Sequence, residues 1–123
     1  VLNNYAYFLS LEGRDLERAL AMAGRAIVLE ENNPTYLDTY AWVLYRLGRY
    51  DEAKKTMQQA LSLDRSQSPD LQLHYGDILA ALGEKFMAEV YWKKALEGGY
   101  DDPDAIVERF RRLKEAAQTP AAP

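Results

Sequence analysis

The chain has no cysteine and a single histidine, His74. Missing thiols exclude disulfides and thiol nucleophiles, and one imidazole leaves zinc centres and nucleophilic triads without their parts. The compartment stays open, since cysteine-free proteins occur in many. Basic residues are outnumbered, 15 Lys and Arg against 19 Asp and Glu, for a net charge of −4 and an isoelectric point near 5.0. Nucleic-acid binding calls for concentrated positive charge, so that partner class is disfavoured. No apolar run approaches the roughly 20 residues of a membrane-spanning helix, which makes membrane contact unexpected. The chain starts Val1-Leu2-Asn3-Asn4, without an initiator Met or a signal segment. It is expected to be a piece of a longer, multi-repeat protein.

What is present is enough for one domain. With 123 residues, 48% hydrophobic and 28% charged, the chain should bury about 60–70% of its unfolded surface. Sliding it against itself by 35 residues aligns Tyr5, Tyr40 and Tyr75; Ala6, Ala41 and Gly76; Leu9, Leu44 and Leu79; Gly13, Gly48 and Gly83. Further on, Ala19, Ala53 and Ala88 recur, as do Ala26, Ala60 and Ala95, with one extra residue in the first turn. That residue is regained at Arg65-Ser66-Gln67-Ser68.

Within each unit the apolar residues keep helical spacing. Leu37, Tyr40, Ala41, Leu44 and Leu47 form one stripe, and Ala53, Met57, Ala60 and Leu61 another. Gly48 closes the first helix, Asp51 and Glu52 suit the positive start of the second, and Pro34 and Pro69 open the following units. The spacing predicts helices near 1–12, 15–31, 34–47, 51–64, 69–82 and 85–97. Antiparallel pairing would set Ala6, Ala41 and Gly76 against Ala19, Ala53 and Ala88, so that small residues let the axes approach.

This pattern resembles the tetratricopeptide repeat, with Leu37, Tyr40-Ala41, Leu44, Gly48, Tyr50, Ala53, Met57 and Ala60 in the second unit and Tyr75-Gly76, Leu79, Gly83, Ala88, Trp92 and Ala95 in the third. The first unit, with Leu2, Tyr5-Ala6, Leu9, Ala19, Ala23 and Ala26, is more divergent. No unit has the family's tryptophan at the first large site, and Glu31, Arg65 and Tyr100 stand where its closing proline falls. The resemblance implies an all-α, right-handed superhelical solenoid of antiparallel helix pairs. Repeats are expected at about 1–33, 34–68 and 69–102. A seventh helix at about 103–118 would cap the stack, and 119–123 would form a flexible tail. On that helix Ile106, Phe110 and Leu113 make an apolar stripe, with Arg109, Arg111, Arg112 and Lys114 toward the opposite side.

Catalytic chemistry finds little support. His74 reads as a helix-surface histidine, and the paired carboxylates Glu30-Glu31, Asp51-Glu52 and Asp101-Asp102 sit at helix ends, where the macrodipole accounts for them. Glu97-Gly98-Gly99-Tyr100 matches no phosphate-cradling loop. The expectation is no enzyme, no metal and no cofactor.

Binding is better supported, because a helical solenoid has a concave face made by the first helix of each unit. Asp38, Trp42 and Tyr45, with Arg46 alongside, adjoin the core stripe of the second unit. Asn3, Asn4 and Tyr7 occupy the same places in the first unit, and His74 and Asp77 in the third. The predicted peptide groove is Asn3, Tyr7, Asp38, Trp42, Tyr45, Arg46, His74 and Asp77, with Trp42 the best anchor by residue type. Trp42 packing only against the next unit, near Leu73 and Asp77, is the competing reading. Some family members clamp a terminal carboxylate with Lys and Asn. Here Tyr7, Trp42 and Asp77 stand where further amides or cations would help, and Arg46 is the only cation. An apolar or aromatic-containing peptide is therefore expected rather than an acidic tail. The leading expectation is a non-enzymatic scaffold binding a partner's peptide, and the rival is a structural spacer or self-association module.

Overall fold

The structure is a computed structural model that describes residues 2–13 and 15–118. The tail expected at 119–123, and the start at Val1, lie outside the described residues. Seven helices and no strand are present among them: α1 Leu2–Glu12, α2 Leu16–Leu29, α3 Pro34–Arg46, α4 Tyr50–Leu63, α5 Pro69–Ala81, α6 Lys85–Glu97 and α7 Pro103–Gln118. These bounds follow the sequence periodicity within two residues at every end of the first six. None of these helices is long and apolar enough to cross a membrane.

The turns repeat because their chemistry repeats. Gly48 adopts φ +79° and Gly83 φ +81°, in the left-handed region where a side chain would be strained. That conformation turns Arg49 N–H back onto the Leu44 carbonyl at 2.9 Å and Glu84 N–H onto the Leu79 carbonyl at 2.9 Å, which closes α3 and α5 in the same way. The first turn differs: both Gly13 (φ +67°) and Asp15 (φ +50°) are left-handed, which accommodates its extra residue. At the start of α3, Asn33 Oδ1 accepts from Thr35 N–H at 2.9 Å and Tyr36 N–H at 3.2 Å. The longer connection before α5 is organised by Asp64, which accepts from Ser66 N–H at 3.1 Å and Ser68 N–H at 2.8 Å. Burial pushes the Asp64 carboxyl up, but the Ser66 hydroxyl and these two N–H groups outweigh it and hold it below the usual carboxylate range.

Each helix packs chiefly on its hairpin mate, α1 on α2, α3 on α4 and α5 on α6, and the pairs then stack through α2 and α1 on α3, and through α4 and α3 on α5. Ala6, Ala19, Ala41, Ala53 and Ala88 are completely buried, as the small-residue pairing requires. At Gly76 even a methyl group is excluded: a Cβ there would lie 2.4 Å from Trp92 Cδ1 and 3.2 Å from the Ala88 carbonyl. The main core runs from Leu37 through Met57, Leu79 and Trp92 to Ile106, and a smaller cluster joins Ala6, Leu9, Ala19 and Ala23 to Val43 of α3. The α7 stripe behaves as predicted, with Ile106 fully buried and Phe110 and Leu113 packed on the core.

Two placements correct the sequence reading. His74 is buried rather than on a helix surface, because Asp38 of the preceding unit supplies a partner for its ring. Arg109 does not lie opposite the apolar stripe of α7. It reaches back to Asp77, since a long guanidinium side chain can bury its stem and still meet a buried carboxylate. Tyr5, although in register with Tyr40 and Tyr75, is exposed and stacks on Phe8, there being no preceding described helix to cover it.

Candidate functional site

The concave face is built by α1, α3 and α5, and its side chains fall where the three-and-four spacing of those helices places them. Along α3 the order is Asp38, Trp42, Tyr45, and along α5 it is Asp70, His74, Asp77. These rows meet at one aromatic layer. The Trp42 ring stacks on His74 with centroids 4.3 Å apart and on Tyr45 at 4.7 Å. Trp42 is half-buried and packs across the boundary between units, on His74 of α5. Its Nε1–H is buried and has no acceptor among the described residues.

This layer separates two concavities. The first, about 410 Å³, is bordered by Asn3 and Tyr7 of α1, Asp38 of α3, Asp70 and His74 of α5, and Tyr100 and Asp101 from the loop before α7. His74 Nδ1–H donates to Asp38 Oδ1 at 2.7 Å. Burial draws the imidazole's pKa down, but the charge and hydrogen bond of Asp38, joined by Asp77 and Asp70, outweigh it and leave the pKa raised. Burial first, then the nearby carboxylates, raise the Tyr7 and Tyr100 hydroxyls as well.

The second concavity, about 550 Å³, lies between α3, α5 and α7 and is bordered by Tyr45, Asp77, Ala80, Trp92 and Arg109. Asp77 is consumed internally. It accepts from Trp92 Nε1 at 3.0 Å and from Arg109 Nε at 2.7 Å through Oδ1, and from Arg109 Nη2 at 2.9 Å through Oδ2. The bonds from Asp77 outweigh partial burial and raise the guanidinium's pKa. Tyr45 is raised by burial and then by Asp77. On the outer face of α7, Arg111 pairs with Glu108 and Glu115, and Arg112 with Glu108 at 3.1 Å. The hydrogen bond from Arg111 leads in lowering the Glu108 carboxyl to about 2. Much of the basic face seen in the sequence is thus neutralised within the helix.

Of the residues expected in the groove, Asn3, Tyr7, Asp38 and His74 therefore border one hollow, Tyr45 and Asp77 the other, and Trp42 stands between. Arg46 joins neither. It is exposed, and its Nη2 lies 2.9 Å from where a Cβ on Gly13 would stand, beside the first turn. Sequence reasoning missed Asp70, Tyr100 and Asp101. Tyr100 was visible only as a departure at the end of a second helix, yet its N–H bonds the Ala95 carbonyl at 3.1 Å and so fixes the loop that brings it to the groove.

A stack of helix hairpins with a hollow along its first helices is a helical-repeat fold. Residues 34–66 match the family model of the tetratricopeptide repeat. Solved structures with the same fold span nearly the whole chain. The first tetratricopeptide-repeat domain of Spaghetti (RPAP3), bound to the HSP90 peptide SRMEEVD, is 18% identical with a TM-score of 0.80, covering 97% of this chain and 92% of that one. The Yersinia enterocolitica type III secretion translocator chaperone SycD is 18% identical with a TM-score of 0.78, covering 96% and 92%. PcrH in complex with the chaperone-binding region of PopD is 18% identical with a TM-score of 0.73, covering 95% and 88%. The fold of the described residues is thus that of tetratricopeptide-repeat domains, and residues 34–66 carry that family's sequence pattern.

Proposed function

We propose that the chain holds an extended peptide segment of a partner protein along the concave face of α1, α3 and α5, with α7 closing the end of the stack. The observation that carries this is the hollow shared by all three first helices, where Asn3 and Tyr7 of α1 come together with Asp38 of α3 and His74 of α5. Asn3 Oδ1 at this hollow and Trp42 Nε1 in the layer beside it are buried without partners among the described residues, an acceptor and a donor of the kind that a peptide backbone completes. The Spaghetti domain with its HSP90 peptide and PcrH with its PopD region support the reading, because they are relatives in fold that engage segments of other proteins.

The test is selection of peptides from a random display library on the parent domain, followed by binding to Tyr7→Ala and, as a convex-face control, Phe86→Ala. Peptides in the groove should lose about tenfold or more in affinity on Tyr7→Ala, as for an interface aromatic, and keep it on Phe86→Ala. Peptides indifferent to Tyr7 but lost with Phe86 would move the binding face to the other side of the stack.

A further inference from the structure

The lining of the first hollow is one-sided in its chemistry. It contains three carboxylates, Asp38, Asp70 and Asp101, and neither lysine nor arginine. Asp38 is engaged by His74. Asp70 and Asp101 have no ion-pair partner among the described residues, and both are exposed. Asn3, only 7% exposed, borders the same hollow and leaves its Oδ1 acceptor unpartnered. The unpaired charges of the lining are therefore all negative. Two helix starts border the hollow: that of α3 has two N–H groups occupied by Asn33, and that of α5 carries Asp70 in its first turn, a carboxylate that opposes an incoming anion.

The aromatic groups fit the same occupant. Tyr7 and Tyr100 both border the hollow, and Asp70 acts on both hydroxyls, so the two phenols and this carboxylate share one neighbourhood. A cation over a tyrosine ring is attracted by its negative face. A guanidinium suits the setting better than an ammonium, because it offers several N–H groups in a plane and can lie against a ring while it donates sideways.

We propose that the hollow bordered by Asn3, Asp70, Asp101, Tyr7 and Tyr100 is a subsite for an arginine side chain of the bound peptide. This rests on the groove reading given under Proposed function. It also sets this groove apart from one made for an acidic tail, since an incoming carboxylate would meet Asp70, Asp101 and the unpaired acceptor of Asn3.

The experiment is an array of seven-residue peptides in which one position is fixed in turn as Arg, Lys, Leu or Glu and the others are mixed. It is probed with the parent, with Asp70→Asn/Asp101→Asn, with Asn3→Ala and with Tyr7→Ala, each first shown to be folded by circular dichroism. Arg should bind best and Glu worst. The Arg advantage should fall about three- to tenfold in the double variant and shrink in the parent as salt rises toward about 1 M, since surface charge is screened. Binding lost on Tyr7→Ala but strongest for Leu or Glu, or an Arg preference unchanged in the double variant, overturns the arginine subsite and leaves the groove standing. Binding indifferent to Tyr7, or no binding by any member, overturns both.

Discussion

Arg109 of α7 grips Asp77 of α5 through both arms of its guanidinium, at 2.7 and 2.9 Å, and so ties the last helix to the last first-helix of the stack. The same carboxylate receives Trp92 Nε1–H at 3.0 Å, so one acid joins three helices. Arg109→Ala would leave Asp77, 8% exposed, with only a neutral donor. An uncompensated buried charge is expensive, and with part of the arginine side chain in solvent the cost should be about 2–3 kcal/mol. Urea denaturation should show that loss, and amide hydrogen exchange should rise first in α7. Unchanged exchange in α7 would show that its apolar stripe alone holds it.

Two glycines should fail for different reasons. Gly48 has φ +79° and open space around it, so Gly48→Ala should cost about 1 kcal/mol of backbone strain, and Gly48→Asn should recover part of it. Gly76 lies within a helix, where an added Cβ would fall 2.6 Å from Trp92 Nε1. Gly76→Ala should therefore displace Trp92 and cost about 1–3 kcal/mol through overpacking. Near-ultraviolet circular dichroism separates the two, since only Gly76→Ala should alter the tryptophan signal.

His74 supplies a stability dependence on pH. Its pKa in the folded chain is raised, burial being outweighed by Asp38 and the other carboxylates, while in the unfolded chain it has its ordinary value of 6.5. The group therefore contributes stability fully below that ordinary value and loses it as pH rises through the folded pKa. The free energy of unfolding should fall as pH climbs from about 6 to above the folded pKa. As the chain has one histidine, a single imidazole resonance reports the titration. Asp38→Asn should lower the midpoint and reduce the slope, and a midpoint that stays put would acquit Asp38.

The repeat was legible in the sequence because its determinants are local. Gly48 and Gly83 announce turns, Pro34 and Pro69 announce helix starts, and Ala41 and Ala53 recur where axes meet. The groove was legible only as a face. Helical spacing tells that Asp38 and Asp77 adjoin the core stripe, but not that each is taken up by a side chain 36 or 32 residues away. Such pairs depend on the angle between stacked units, to which no residue count is sensitive. Arg46 and Arg109 show the limit from the other side: both are long enough to choose among partners, and packing sends one to the first turn and the other into Asp77.

Trp42 must be tested with its packing in mind. Because its ring lies 4.3 Å from His74 and 4.7 Å from Tyr45, Trp42→Ala removes two aromatic contacts, one between units and one within α3. Each is worth about 0.5–1.5 kcal/mol beyond the area buried, and the vacated space adds a cavity term. The variant should lose about 2–4 kcal/mol by denaturation, enough to confuse any binding assay that relies on it. Trp42→Phe keeps a ring against His74 and removes the buried Nε1–H that lacks an acceptor, so it should retain most of the stability. The His74 ring protons give the independent readout. They should be shifted upfield by the stacked indole in the parent, return toward ordinary values in Trp42→Ala and stay partly shifted in Trp42→Phe. If the alanine variant leaves those protons where they were, the stack between α3 and α5 does not exist in solution, and Trp42 is free to meet a partner directly.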